Sequence, residues 1–216
     1  MADNVAQIIR LMLVTDDRLL RGRDLVTLAR AAQRGGVSSL QLRLKQATAR
    51  ELAQLTRALV QALQIPVLVN DRPDVAIAAG AAGVHLGPDD LPVHLARQIA
   101  PPGFVVGASV GSVTEAAGAG AADYWGIGPW RTTPTKEDAG SGLGPEGFRN
   151  LLRLAGDKPA LAIGGVGPED VPRVLLAGGK GVAVVAGILE ADDLETAARA
   201  YVKAGQRGSG AGGQQR

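Results

Sequence analysis

Residues 39–70 read SLQLRLKQATARELAQLTRALVQALQIPVLVN, and this stretch decides the architecture. Ser39–Leu42 is a short apolar run with polar residues at its end. Thr48–Leu63 is a long amphipathic stretch. It opens with Thr48 and, three residues later, Glu51, the spacing at which a capping box satisfies the first helical N–H groups. Val67–Asn70 is a second apolar run. Strand, helix and strand in so short a span predict two parallel strands joined by a crossover helix.

The same unit recurs on both sides. Upstream, Ile9–Val14 predicts a strand and Asp24–Arg34 a helix. Downstream, strands are expected at Val84–Leu86, Phe104–Ala108, Tyr124–Ile127, Ala160–Ile163 and Gly181–Val185. Between and after them, helices are expected at Pro73–Ala79, about Pro92–Ile99, Ser112–Gly118, Pro145–Leu154, Pro168–Leu176 and Asp193–Ala204, with a long loop over Gly128–Gly142. Eight β/α units predict an α/β fold, a single-domain (β/α)8 TIM barrel over residues 1–204; a doubly wound open sheet is the alternative. Residues 205–216, rich in Gly, Ser and Gln, read as a flexible C-terminal tail.

Composition narrows the chemistry. A chain of 216 residues suits one domain, and 46% hydrophobic with 20% charged residues excludes a long disordered polypeptide. Aromatic residues make up 3%, too few for a base-stacking surface. The formal charge of +2 owes three positive charges to Lys203, Arg207 and Arg216; without them the body stands at −1, so no nucleic-acid partner is indicated. The absence of cysteine removes disulfides, thiolate metal sites and a cysteine nucleophile. With His85 and His94 as the two histidines, any metal is expected to be hard and oxygen-bound, such as Mg²⁺. No apolar run is long enough to span a membrane, and Met1–Arg10 lacks a signal-peptide core, so the expected compartment is the cytoplasm. The sequence leaves the oligomeric state open, and a homo-oligomer is compatible with it.

A TIM barrel carries its reactive groups at the C-terminal ends of its strands. Polar residues gather at those ends here: Thr15 and Asp16; Gln41, Arg43 and Lys45; Asn70, Asp71 and Arg72; His85, Asp89 and Asp90; Ser109; and Thr132, Thr133, Thr135 and Lys136. Alternation puts Gln41, Arg43 and Lys45 on one face, suited to an anion with several oxygens or to a solvated edge. Asp71 and Asp90 are the candidate Mg²⁺ ligands; Asp71 could instead cap the helix at Pro73, and Asp89 competes with Asp90 for both the metal and a helix cap. The small residues after Lys136 suit either a closing loop or an ordinary excursion. Gly164-Gly165 and Ala186-Gly187 suit a phosphate cradle. His85 reads as a satisfied core or wall histidine rather than a general base, His94 as a surface residue, Trp125 as packing, and Trp130 as a pocket wall. Two anion sites in one mouth fit the joining of two phosphorylated molecules with loss of pyrophosphate.

Taken together, these motifs resemble the thiamine phosphate synthase family. The resemblance rests on Leu13-Val14-Thr15-Asp16, Gln41-Leu42-Arg43-Leu44-Lys45, Asn70-Asp71-Arg72, Gly83-Val84-His85-Leu86-Gly87 with Asp90-Leu91, Gly107-Ala108-Ser109, Asp123-Tyr124 with Gly128-Pro129, Thr133-Pro134-Thr135-Lys136, and Ala162-Ile163-Gly164-Gly165-Val166. It implies condensation of a hydroxymethylpyrimidine diphosphate with a thiazole phosphate through a pyrimidine cation. It further implies that Arg43, Lys45, Asn70 and Lys136 hold the diphosphate, Gln41 and Ser109 the pyrimidine and its leaving group, and Asp71 and Asp90 the Mg²⁺. Thr133, Thr135, Gly165, Ala186 and Gly187 would hold the thiazole phosphate, and Ser109, Lys136 and Arg43 would be catalytic. The chain departs from the family pattern at Pro88, Asp89, Arg131-Thr132 and Ala186, where Ser is frequent; Arg131 could add a phosphate contact or face water. The alternatives are a related thiazole tautomerase, from which Gly111 and the full cation and carboxylate set separate this chain, a non-enzymatic thiamine-phosphate-binding protein, and a phosphate-binding isomerase barrel.

Overall fold

The computed structural model describes residues 2–20, 22–132 and 142–210. Its eight strands are β1 (Leu11–Val14), β2 (Ser39–Leu42), β3 (Val67–Asn70), β4 (Gly83–Leu86), β5 (Val105–Val110), β6 (Tyr124–Ile127), β7 (Ala160–Ile163) and β8 (Gly181–Val184). All neighbouring pairs are parallel, and β8 returns to pair with β1, closing the barrel. The helices are α1 (Ala2–Ile8), α2 (Asp17–Leu20), α3 (Leu25–Arg34), α4 (Ala49–Ala62), α5 (Pro73–Ala79), α6 (Val93–Ile99), α7 (Val113–Gly118), α8 (Gly144–Leu152), α9 (Val171–Leu176), α10 (Ala186–Leu189) and α11 (Leu194–Gly210). The single-domain (β/α)8 TIM barrel is thus the fold, and the open sheet is excluded by the β8–β1 ladder. Among the described residues no helix is long and apolar enough to cross a membrane.

Strand periodicity sorts the core into two shells. Leu11, Leu13, Leu40, Leu42, Val67, Val69, Val84, Leu86, Val106, Ala108, Trp125, Ile127, Ala160, Ala162, Val182 and Val184 point outward and pack under the helices. The alternate residues Met12, Val14, Leu68, Val105, Tyr124, Leu161 and Ala183 fill the barrel interior. α4 docks as its sequence dictates: Leu52, Thr56 and Leu59 are buried, and the Thr48–Glu51 capping box forms with both of its bonds.

The bottom of the barrel is closed by α1, which the sequence reading did not anticipate. Val5 and Ile8 join the interior shell. The Ser39 hydroxyl donates to the Ile8 carbonyl at 2.6 Å, and the Ser38 hydroxyl accepts from Leu11 N–H at 2.8 Å, so the start of β2 holds the helix in place. At the other end of the chain, α11 runs to Gly210 and takes in residues 205–210, which had read as tail. Its earlier part is anchored by the buried Leu194, Ala198 and Tyr201, and the backbone hydrogen-bond ladder continues past them. Residues 211–216 lie outside the described residues.

Because Ile8 seals one end of the interior shell, Ile8→Ala is expected to lower the unfolding free energy by about 2–4 kcal/mol. Urea denaturation would measure it; a loss below about 1 kcal/mol would mean that α1 is not part of the core.

Candidate active site

At the C-terminal ends of β1 and β2, Thr15 extends the ladder with its side chain. Its hydroxyl accepts from Arg43 N–H at 2.8 Å and donates to the Arg43 carbonyl at 3.0 Å. β2 ends at Leu42, so Arg43 and Lys45 leave from this pinned loop, while Gln41 is buried inside the barrel. The three residues thus differ in depth along this end of the barrel, Gln41 buried, Arg43 half-buried and Lys45 exposed. Arg43 is half-buried and paired with Asp16 at 3.1 Å, which aims the guanidinium. Lys45 is exposed, and its backbone N–H donates to Asp17 at 2.8 Å.

Asn70 ends β3 opposite His85 of β4. Asp71 follows in the left-handed region, with φ 65°, a conformation that aspartate tolerates better than most residues. Its N–H donates to the His85 carbonyl at 2.9 Å. Burial raises the Asp71 pKa to about 7; a hydrogen bond with Asp90 and that group's charge add to the effect, against the pull of Lys45 and Arg43. Asp90 also accepts from Gly87 N–H at 2.6 Å. The cap readings fall away: α5 and α6 carry no side-chain cap, and Asp89 is exposed. Among the described residues no third His, Cys, Asp or Glu completes a metal cluster. Two carboxylates in contact, with Lys45 and Arg43 close enough to act on Asp71, form a donor set suited to a divalent ion whose other ligands are phosphate and water.

Inside the mouth, Ser109 of β5 is 3.0 Å from His85 Nε2, and His85 Nδ1 is 2.9 Å from the Tyr124 hydroxyl. Tyr124 is also hydrogen-bonded to Gln41. Gly107 is required here, since a Cβ would lie 2.2 Å from the Tyr124 ring. His85 is indeed a satisfied interior residue, and His94 is exposed. Tyr124 had no assigned role in the sequence; the signal was Gly107 facing a buried aromatic across one rung.

On the far side, Gly164 (φ 91°) and Gly165 (φ 68°) are left-handed, and a Cβ on Gly164 would lie 2.8 Å from Pro129. Ala186 and Gly187 begin α10, and Gly187 makes room for Tyr201, whose hydroxyl donates to the Val166 carbonyl at 3.1 Å. Arg131 N–H donates to the Gly164 carbonyl at 2.9 Å. Its guanidinium turns to Asp170 at 2.7 Å and Glu169 at 3.2 Å. Of the two expectations for Arg131, a phosphate contact or a water-facing side chain, the second is the nearer: the residue is exposed, with its guanidinium committed to these two acids. Trp130 is not a pocket wall: it is buried and packs edge-on against Phe148. Trp125 is core packing, as expected. Thr133, Thr135 and Lys136 lie outside the described residues. The segment's flanks meet, with Gly142 N–H donating to Thr132 Oγ1 at 3.2 Å and Leu143 N–H to the Pro129 carbonyl at 2.8 Å.

Asp170 gives a pH test of this corner. Burial alone would raise its pKa, but hydrogen bonds from Gly167 N–H, Arg131 and Trp130 outweigh burial and hold it below the usual carboxylate value. A depressed folded pKa contributes stability above the unfolded value that is lost as pH falls through the folded one. Asp170→Asn should therefore cost about 1–3 kcal/mol at pH 7, with the deficit shrinking below about pH 4. A pH-independent deficit in thermal unfolding would contradict the charge assignment.

Comparison with known proteins places this geometry in context. The sequence model of a family described as thiamine monophosphate synthase matches residues 11–188. A thiamine-phosphate synthase of Azorhizobium caulinodans is 46% identical over 194 residues, 88% of this chain and 91% of the relative. One from Methanoculleus marisnigri is also 46% identical over 194 residues, 88% of this chain and 92% of the relative. The solved structure of a thiamine phosphate pyrophosphorylase from Pyrococcus furiosus superposes with a TM-score of 0.85 at 35% identity, covering 95% of this chain and 99% of that one.

Proposed function

The chain belongs to the thiamine monophosphate synthase family, and from that membership we propose that it joins 4-amino-2-methyl-5-hydroxymethylpyrimidine diphosphate to 4-methyl-5-(2-phosphoethyl)thiazole, giving thiamine phosphate and pyrophosphate. The observation that carries the reading is the convergence of Arg43, Lys45, Asn70, Asp71, Asp90 and Ser109 at the ends of neighbouring strands β2 to β5. That is a site for a departing polyanion, of no use to a protein that only binds the product.

In this reading the methylene C–O bond breaks first and its electron pair leaves with pyrophosphate. The electron-rich aminopyrimidine stabilises the cation, and the thiazole nitrogen then forms the new C–N bond. No strong base is needed. Arg43, held by Asp16, and Lys45 stabilise the charge that develops on the leaving group. Asn70 and Ser109 offer neutral hydrogen bonds to the same group, with Lys136 as a further cation. Gln41, deep in the interior, orients the pyrimidine. Asp71 and Asp90 would hold Mg²⁺, which supplies charge neutralisation at the diphosphate. Gly165, Ala186, Gly187, Thr133 and Thr135 hold the thiazole phosphate and bring its nitrogen to the carbon. The cytoplasm is the compartment this biosynthetic role implies.

Incubating the protein with both substrates, with and without Mg²⁺, tests the proposal: thiamine phosphate and pyrophosphate should form in equal amounts and only with Mg²⁺. Binding without turnover would reject it. Asp71→Ala is expected to lower kcat about 100-fold and to flatten the Mg²⁺ titration; an unchanged titration would remove Asp71 from the metal site. Ala186→Ser should lower the apparent KM for the thiazole phosphate by about 3- to 10-fold; no change would mean that the backbone suffices.

A further inference from the structure

Four side chains from four strands form one polar line through the barrel: Gln41 of β2, Tyr124 of β6, His85 of β4 and Ser109 of β5. The first three are buried and the last is half-buried at the mouth. Such a line has a direction, because each hydroxyl and each neutral imidazole gives one hydrogen and takes another.

The direction follows from its inner end. At that end the Gln41 amide nitrogen, a donor, faces Met12 Sδ at 3.8 Å, so the strong acceptor within reach of the phenol among these contacts is the imidazole. The phenol keeps its proton, since burial drives its pKa far upward. Met12 Sδ, 4.0 Å away, is a weak acceptor, so that proton goes to His85 Nδ1 at 2.9 Å. His85 then carries its hydrogen on Nε2, directed at Ser109 Oγ, 3.0 Å away. With Ser109 already accepting from the imidazole, its own hydrogen is left for the mouth.

We propose that Tyr124 and His85 are positioning residues that fix the Ser109 hydroxyl as a hydrogen-bond donor directed out of the barrel, onto the oxygen that leaves with pyrophosphate. The catalytic half of this inference rests on the synthase reading; the hydrogen-bond direction does not. A hydroxyl free to rotate would spend part of its time donating inward to an unprotonated imidazole nitrogen. The interior line removes that option before substrate arrives, so no reorientation is needed as charge develops.

The ring proton can be seen without substrate. With two histidines in the chain, one of them exposed on α6, long-range ¹H–¹⁵N correlation spectra at pH 8 resolve both rings. His85 should carry hydrogen on Nε2 in the parent and lose that preference in Tyr124→Phe. Hydrogen on Nδ1 in the parent would overturn the proposal, even if Tyr124→Phe failed to fold. Kinetics supply the second arm. Tyr124→Phe should lower kcat by about 10- to 100-fold with little change in KM for the thiazole phosphate. Ser109→Ala combined with Tyr124→Phe should be no worse than Ser109→Ala alone. Multiplying effects would mean that Tyr124 acts independently of Ser109 and would overturn the positioning role. Absence of turnover in the parent would overturn the synthase reading and the catalytic half with it, while the spectra still decide the direction of the line.

Discussion

The ladder between β8 and β1, in register from Leu11 with Val182 to Leu13 with Val184, removes both free edges of the sheet. Closure also gives the interior a top and a bottom. With strands of four residues in most positions, each contributes about two side chains inward, and these stack in layers. The lower layers are apolar and meet Val5 and Ile8 of α1. The upper layer is polar and opens on the mouth. The candidate site side chains of β2 to β5 inherit their places from that layering: Gln41, His85 and Ser109 point inward as strand residues, while Arg43, Lys45, Asp71 and Asp90 stand beyond the strand ends.

A polar layer inside a barrel is costly unless each group finds a partner. Here no buried side-chain nitrogen or oxygen among the described residues lacks one. The Gln41–Tyr124–His85–Ser109 line supplies part of that satisfaction and ends at its half-buried member, Ser109. The carboxylates are different. Asp71 and Asp90 are partnered with each other, and Asp71 stands in a left-handed backbone conformation held by the His85 carbonyl. Two acids in contact, one of them in a sparsely populated backbone conformation, are the pattern of a functional site rather than of a scaffold.

The sequence made the barrel legible because its signals are local. The Thr48–Glu51 cap, the strand runs and their short connections each depend on neighbours along the chain, and most strand bounds agree within two residues. Residues beyond strand ends were equally readable, since topology alone carries Arg43, Asn70, Asp71 and Asp90 to one rim. What escaped was set by contacts across the fold. α1 is short and its apolar face is meaningful only once there is an open barrel bottom to fill. Tyr124 has no legible role in the sequence because its partners come from three other strands. Arg131 stays open in the sequence between a phosphate contact and water because the acid that takes it, Asp170, lies far along the chain. Trp130 sits in a loop by sequence, yet Phe148 of α8 folds beneath it.

The paired carboxylates and the cations beside them are proposed to form a metal–diphosphate site. Calorimetric titration of the protein with pyrophosphate, in the presence and absence of Mg²⁺, tests it without requiring turnover. Binding is expected to depend on Mg²⁺ in the parent and to lose that dependence in Asp90→Asn. Binding of equal strength with and without Mg²⁺, or a dependence left intact in the variant, would contradict it.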